Sequence, residues 1–203
     1  GANPERVTRQ LREKLDLNAH MMQLPIGLEG DLAGMVDLVK MQAVYFDGES
    51  GEELRYEAIP ADMADEAEEM RQALLEEVSM FSEELMEAVL EGGDIDAALI
   101  YDAVRKGTTS LEFTPVFVGS AYKNKGIQLL LDAVEAYLPC PTDVENFALD
   151  LKNNEAEFKV SNNPADPLIM LAFKLEDGRY GQLTYVRTYQ GQIRKGDTIY
   201  NSR

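Results

Sequence analysis

The chain has 203 residues, of which 37 are acidic and 19 basic, so its formal net charge is −18. A hydrophobic content of 45% supplies a core for one large domain or two small ones, which excludes a wholly disordered acidic chain. The negative charge argues against a broad surface for phosphate backbones or anionic membranes. With no apolar run long enough to span a membrane, one cysteine (Cys140) and one histidine (His20), the composition indicates a cytoplasmic protein without disulfides or a metal site.

The negative charge is concentrated in one quarter of the chain. Residues 52–102 contain 17 acidic and only two basic residues, whereas residues 103–203 contain 12 of each. Such a change in charge along the sequence indicates separate modules. We therefore predict that the acidic segment is a module of its own.

The first 60 residues predict one helix followed by a small sheet. Asn3 and Pro4 are suited to the start of a helix, and its apolar positions repeat at four-residue spacing, at Val7, Leu11 and Leu15. From His20 onward, short apolar stretches are separated by glycine-rich turns at residues 27–34 and 47–51. This pattern predicts a mostly antiparallel sheet over residues 20–60.

The acidic segment predicts helices. Between residues 61 and 90, apolar residues recur every three or four positions, at Met63, Ala67, Met70, Leu74, Val78, Phe81, Leu85 and Val89. Ser82, followed by two glutamates, is a candidate N-cap, so the helix can break near residues 79–82. Asp94 is a candidate cap for a further helix that extends to Gly107.

The remainder of the chain predicts one α/β unit and then β-structure. Residues 113–118 form an apolar run typical of a strand in a parallel sheet; a loop of small residues and a helix at 127–137 follow it. Residues 142–165 have few apolar positions and are predicted to be a linker. Alternating residues from 167 onward predict a hairpin of strands at 168–175 and 182–189, a second hairpin at 191–196, and a strand that begins at Thr198.

The loop at residues 119–126 lies where α/β sheets bind ligands, beyond the carboxyl end of a strand. Its small residues allow backbone N–H groups to approach a planar ligand, for example the O6 acceptor of guanine. By itself this signal is weak. Two apparent GTPase motifs are rejected: residues 31–34 match D-x-x-G without a preceding phosphate loop, and residues 124–127 lack the aspartate of N-K-x-D.

Five residues of the helical segment form a candidate docking surface. They are Glu69, Glu76, Met80, Glu83 and Glu87. One interpretation is an ordinary solvated face, which the residues alone favour. The other is a docking face for a basic partner, with Met80 as an adaptable apolar contact.

Several stretches together resemble bacterial elongation factor G, the translocation GTPase of the ribosome. They occur in the order and spacing of that family, at residues 1–4, 24–27, 36–39, 59–63, 82–87, 119–126 and 138–144. The resemblance implies a partial GTPase α/β sheet with an inserted subdomain, called G′, and the start of a β-barrel. The implied segments are a G-domain helix (1–21), G′ (22–107), the last G-domain strand and helix (108–141), a linker (142–165) and truncated domain II (166–203).

The resemblance also implies two sites. The fifth GTPase motif, whose backbone contacts the guanine, corresponds to Ser120 and Ala121 and extends to Tyr122 and Lys123. The G′ helix docks the C-terminal domain of the ribosomal stalk protein through acidic residues, which Glu76 and Glu83 match. Met80 stands where an acid is common in the family. No catalytic or metal-binding residue is implied in this chain.

The sequence contains no phosphate loop, no switch regions and no N-K-x-D motif. We therefore interpret it as a fragment whose parent binds GTP or GDP with Mg²⁺ and couples hydrolysis to tRNA–mRNA movement. The fragment alone is expected to bind no cofactor and to be inactive. Contacts with ribosomal RNA and tRNA are expected mainly through other domains. A truncated barrel predicts self-association through exposed edges and apolar residues such as Leu183, Tyr185 and Ile199.

Other functions stay open from the sequence. A ribosome-recycling or organellar paralogue of elongation factor G belongs to the same class, and a ribosome-protection protein or release factor three fits less well. A different class is an independent acidic adaptor without GTPase activity. A small-molecule enzyme built on the 119–126 loop is the poorest alternative, because no acid–base constellation accompanies the loop.

Overall fold

The computed structural model describes residues 1–179 and 181–202 and confirms a mixed α/β chain. The chain divides into two compact units, Gly1–Leu138 and Pro139–Arg203. In the described residues, no helix has the length and apolar character needed to cross a membrane. The predicted segments 1–21, 22–107 and most of 108–141 all lie in the first unit, and the boundaries between them stay predictions.

The first unit contains all five helices of the described chain and six strands. The helices are α1 (Pro4–Leu15), α2 (Ala64–Val78), α3 (Glu83–Glu91), α4 (Ala97–Thr109) and α5 (Ile127–Tyr137). The strands are β1 (Ala19–Met21), β2 (Gln23–Ile26), β3 (Gly34–Asp37), β4 (Gln42–Asp47), β5 (Glu53–Glu57) and β6 (Thr114–Val116). Short 3-10 turns occur at Glu29–Asp31 and Ser79–Phe81.

The strand predicted over residues 113–118 is β6, which lies in a parallel pair as expected but is shorter than predicted. β6 is parallel to β1, with Ala19 opposite Thr114 and Met21 opposite Val116. The partner strand β1 was not predicted, because the sequence pattern assigns residues 19–21 partly to the first helical segment and partly to the antiparallel sheet. Three residues are too few to show a period, and only pairing with a strand far away in sequence distinguishes them.

The predicted antiparallel sheet is confirmed. Its order is β2-β3-β4-β5, and each neighbouring pair is antiparallel. Met35 and Val36 of β3 and Val44 of β4 are fully buried, whereas most of β5 is exposed. The sheet thus buries its central strands and leaves β5 at an edge.

The predicted break between the two acidic helices is also confirmed. α2 ends at Val78, and α3 begins after Ser82, whose hydroxyl accepts a hydrogen bond from the Leu85 N–H at 3.4 Å. The following helix was placed two residues too early: its N-cap is Asp96, which accepts the Ala98 N–H at 2.9 Å, and not Asp94. That helix also continues through Gly107 to Thr109.

One apolar core joins these helices to the sheet. It includes residues of β2 and β3, of α2 to α4, and of α5. Its largest fully buried side chains, together with those of the smaller neighbouring core, are Met22, Met35, Val36, Leu38, Val44, Leu74, Leu75, Val78, Leu85, Ile100 and Val104. Burial of this apolar surface is the main stabilising contribution to the unit.

His20 lies at the junction of β1, α2 and the residue before β6. Its ring stacks on Phe113 at 5.6 Å, and Nε2 lies 3.1 Å from the Asn18 side-chain oxygen and 3.9 Å from a Glu77 oxygen. Burial and the Arg12 guanidinium lower the pKa of His20 below its ordinary value of 6.5, and Glu77 opposes this shift. The folded unit therefore favours neutral imidazole.

We expect the free energy of unfolding to decrease as the pH falls through 6.5. The unfolded chain binds this proton first, so stability is retained above 6.5 and lost progressively until the folded state is protonated too. Urea unfolding between about pH 7.5 and pH 5.5 measures the decrease. The His20→Gln variant should show a flatter profile in that range, and an equal slope in both proteins would contradict the assignment.

Among its described residues, the second unit contains two hairpins. They are formed by β7 (Asn146–Asp150) with β8 (Ala156–Val160), and by β9 (Ile169–Gly178) with β10 (Gly181–Gln190). The hairpin predicted at 168–189 is confirmed.

The predicted linker at 142–165 is wrong, because it contains β7 and β8. Phe147 and Leu149 alternate with smaller or polar residues on β7, and Ala148 lies opposite Phe158. This alternation is short, so its few apolar positions did not stand out from the polar composition of the segment.

The last residues also differ from the prediction. In the described part of the chain, residues 191–196 contain a turn and no hairpin, and residues 198–200 are not part of a strand. The Asp197 N–H instead bonds to the Arg194 carbonyl at 3.1 Å. A sequence with strand propensity forms a strand only beside a partner. Leu183, Tyr185 and Ile199 are 54%, 38% and 52% exposed, and the predicted self-association stays a prediction.

Candidate functional site

The 119–126 loop folds into a closed turn that begins two residues beyond the end of β6. The Ser120 N–H donates to the Lys125 carbonyl at 2.8 Å, and the Lys125 N–H returns a bond to the Ser120 carbonyl at 3.1 Å. The Lys123 and Asn124 N–H groups bond to the carbonyls of Ser120 and Ala121, each at 3.2 Å. These four bonds fix the backbone of the residues between the two glycines.

Gly126 is required at the end of this loop by its backbone geometry. Its φ is +82°, in the left-handed region that favours glycine, and it is the N-cap of α5. A Cβ at this position would lie 2.7 Å from both the Met35 Cε and the Val118 carbonyl oxygen. The loop therefore packs tightly on β3 as well as closing on itself.

Two lysines attach the loop to the segment between β2 and β3. Lys123 Nζ donates to the Gly30 carbonyl at 3.1 Å, and Lys125 Nζ donates to the Leu32 carbonyl at 2.6 Å. Charged donors make stronger hydrogen bonds than neutral ones. The antiparallel sheet thus supports one side of the loop.

The turn between β4 and β5 supports the other side. Gln128 Nε2 donates to the Gly51 carbonyl at 2.8 Å, and a Cβ on Gly51 would lie 3.0 Å from the Asn124 carbonyl oxygen. The Oε1 atom of Gln128 is buried without a partner among the described residues. Lys125 and Gln128 were not predicted as site residues, because their partners lie 93 and 77 positions away in sequence.

A cavity of about 370 Å³ lies beside the start of the loop. Its wall combines the beginning of α1, the start of the first 3-10 turn with the residue before it, and the residues after β6, among them Asn3, Pro4, Leu28, Glu29, Val118, Gly119 and Ser120. Of the four predicted loop residues, only Ser120 lines this cavity. Ala121, Tyr122 and Lys123 are exposed, and Tyr122 is 99% exposed.

The tip of the loop leaves hydrogen-bond donors free. Within the described residues, neither the Ala121 N–H nor the Tyr122 N–H has a hydrogen-bond partner. Free backbone donors next to a rigid turn suit a planar ligand with carbonyl acceptors. The loop can therefore present N–H groups without rearranging.

The predicted docking residues lie on two helices and the turn that joins them. Glu69 and Glu76 are on α2, Met80 is in the 3-10 turn, and Glu83 and Glu87 are on α3. All four glutamates are exposed, and Met80 is 69% exposed. None of these side chains makes a hydrogen bond or ion pair with another described residue. We call this set the acidic helical face.

The structure also shows the surroundings of the single cysteine and of the residue types that bind metal ions. Cys140 is exposed, and its sulfur lies 2.9 Å from the Thr142 hydroxyl. Among the described residues, no group of three or more His, Cys, Asp or Glu side chains is placed to hold a metal ion.

Curated proteins that are similar to this chain over its whole length are named elongation factor G. The chain is 74% identical to elongation factor G 1 of Desulfotalea psychrophila (strain LSv54 / DSM 12343), 58% identical to that of Syntrophus aciditrophicus (strain SB), and 53% identical to that of Borreliella burgdorferi. Each match covers 100% of this chain. Over its whole length, the chain matches a segment of elongation factor G. It spans 29% of the length of these elongation factor G relatives. The resemblance inferred from the sequence motifs is thereby confirmed.

A solved structure supports the fold. A crystal structure of a protein from Thermus thermophilus superposes with a TM-score of 0.70 at 23% identity, and the match covers 97% of this chain and 27% of that one. This likeness concerns the fold alone. The sequence matches no protein-family model.

Proposed function

We propose that this chain is the part of a cytoplasmic translational GTPase that contacts the guanine base and docks a ribosomal partner. Similarity to elongation factor G over the whole chain supports the class. The geometry of the 119–126 loop supports the base contact, and it is the observation on which the proposal chiefly depends. The parent would act on the ribosome in tRNA–mRNA translocation.

The base contact follows from the free donors of the loop. Guanine carries an acceptor at O6, whereas adenine carries an amino group at the equivalent position. The Ala121 N–H, with Tyr122 beside it, would donate to O6 and would meet a donor if adenine were bound. A buried donor without a partner costs about 1–3 kcal/mol, which is sufficient to discriminate between the bases. Ser120 and Lys123 would hold the turn through their own bonds.

GTP or GDP with Mg²⁺ is the cofactor that the relatives imply. The described residues fit the base end of the nucleotide: a cavity of about 370 Å³ lies beside Ser120, with free N–H donors on the next two residues. The sequence has no G-x-x-x-x-G-K-[ST] motif for the phosphates. The nucleotide, when bound, supplies the phosphoryl-transfer chemistry, and this chain would orient its base.

The acidic helical face would dock the C-terminal domain of the ribosomal stalk protein. Four glutamates without internal partners favour a basic partner, and long-range attraction increases the rate of association. Met80, exposed among them, would supply an adaptable apolar contact. The segment 52–102 that contains this face has 17 acidic and two basic residues, so the field around it is strongly negative.

The base contact is tested with two nucleotides and one variant. In the intact protein encoded by the full reading frame, GDP should bind about 10–100-fold more tightly than the 2-aminopurine nucleotide, which lacks O6. Ala121→Pro removes the N–H and should abolish most of that difference, because only GDP loses a bond. Isothermal titration calorimetry of both proteins with both nucleotides measures the coupling energy between the Ala121 N–H and the O6 atom of the base.

The outcome separates a local contact from general damage. Equal losses for GDP and the 2-aminopurine nucleotide in Ala121→Pro would show that the N–H does not contact O6, and the assignment would be abandoned. Hydrogen exchange in α5, which follows the loop, reports whether the variant is folded.

A further inference from the structure

A second cavity, distinct from the one beside the loop, lies between α4, α5 and the turn after β3. Its volume is about 280 Å³. Apolar and aromatic side chains form most of its wall, among them Val39, Tyr101, Phe117, Ala133, Ala136 and Tyr137. The polar side chains in the wall are Gln23, Asp37, Lys40 and Asp132. A largely apolar cavity with a few polar groups is typical of a small-molecule site.

Three aromatic rings are arranged in sequence along this cavity. Tyr101 and Tyr137 stack with centroids 5.9 Å apart and planes at 30°, and Phe117 lies 6.3 Å from Tyr137 at 31°. Tyr137 is only 4% exposed, so its ring is fixed by the core. Rings held in this way give the cavity a fixed aromatic wall, and aromatic rings attract other rings and cations.

The two phenol hydroxyls in the cavity are not engaged by the protein. Neither the Tyr101 hydroxyl nor the Tyr137 hydroxyl has a hydrogen-bond partner in the described part of the chain. Burial raises the pKa of Tyr101 to about 12, with smaller effects from Asp37 and Asp132. Burial likewise raises the pKa of Tyr137, and Tyr101 and Asp37 add to the shift. Both hydroxyls thus stay protonated, and their oxygens remain available as acceptors.

Charge in the cavity wall favours a cation. Asp37 and Asp132 outnumber the single cation, Lys40, and neither carboxylate forms an ion pair with another described residue. Asp37 uses one oxygen, Oδ1, to accept the N–H groups of Val39 and Lys40 at 2.8 and 3.0 Å. Its second oxygen makes no hydrogen bond with the described residues, so both carboxylates can accept from a ligand.

We propose that this cavity binds a small arylalkylammonium ion. Its ring would stack against the tyrosines, and its ammonium group would donate to the carboxylates of Asp37 and Asp132. A neutral aromatic molecule would keep the stacking and lose the charged hydrogen bonds, which are the stronger part of such contacts. An aromatic anion would be repelled by both carboxylates. This site is independent of guanine binding.

The site is tested with three probes of the same shape. The chain is titrated with 2-phenylethylamine, 2-phenylethanol and phenylacetate, and two-dimensional NMR follows the amides of Val39, Ala133 and Ala136. We expect the amine to bind about tenfold more tightly than the alcohol, and the anion to bind most weakly. Saturable shifts confined to the cavity residues identify the location.

A matched pair of variants on α5 tests the role of charge. Asp132→Asn should weaken amine binding about threefold and leave alcohol binding unchanged, because an exposed charge contributes modestly. Glu135→Gln removes an exposed carboxylate from the same helix without changing the cavity wall, and should have no effect. The proposal is overturned if no saturable shifts appear, if the three probes bind equally, or if the two variants behave alike.

Discussion

Replacing Gly126 with alanine is expected to lower the free energy of unfolding of the first unit by about 3 kcal/mol. Two costs contribute. The φ of +82° costs an L-residue about 1 kcal/mol. The added Cβ would then lie 2.7 Å from Met35 Cε and from the Val118 carbonyl oxygen, and relieving such overpacking costs about 1–3 kcal/mol.

Met35 has little room to move, because its side chain is fully buried in β3. The Val118 oxygen belongs to the backbone that enters the loop, so its displacement shifts the loop itself. The Gly126→Ala variant should therefore show faster hydrogen exchange in residues 119–126 as well as lower stability. Loss of stability and loss of loop order have one cause in this variant.

Gly30→Ala is the control for this substitution. Gly30 lies in the same unit, its backbone is not in the left-handed region, and no atom lies within 4 Å of its added Cβ. Urea unfolding should place Gly30→Ala within about 0.5 kcal/mol of the unsubstituted chain. If Gly126→Ala were equally close, the tight approach of the loop to β3 would be refuted.

The elements of the first unit could be predicted largely from the sequence because each has a local signal. In the strands of the antiparallel sheet, apolar and polar residues alternate, and glycine-rich turns separate the strands. In the acidic helices, apolar residues recur every three or four positions, and Ser82 marks the junction between the two helices. The prediction failed where the signal is not local. β1 has three residues and is defined by its pairing with β6, and β7 and β8 lie in a polar segment.

The same distinction applies to the candidate site. The position of the 119–126 loop after β6 could be predicted from the change between an apolar run and small residues. Its supports could not, because Lys125 and Gln128 bond to backbone carbonyls of distant turns, and no spacing in the sequence indicates such partners. The second cavity was missed for the same reason, since β3, α4 and α5 each contribute only part of its wall.

Reversing the charge of Glu76 and Glu83 is expected to slow association of the intact protein with the ribosomal stalk protein about tenfold at low salt. Each substitution by lysine changes the charge by two units on an exposed side chain without internal partners. The folded structure should therefore be retained while the attraction to a basic partner is lost. Stopped-flow measurement of association, together with stalk-dependent GTP hydrolysis, provides the readout.

The effect should diminish as salt is added, because charges on the surface are screened over about 8 Å at physiological ionic strength. Glu135→Lys combined with Glu157→Lys makes the same change in net charge on α5 and β8, two elements that contribute no residue to the acidic helical face. If this control slows association equally, the total charge of the protein governs the encounter, and the face has no special role.

Met80→Ser should increase the rate of dissociation from the partner with little dependence on salt, because the contact of Met80 is apolar. A partner that uses this face must therefore combine basic residues with an apolar contact, and the two sets of variants separate these contributions.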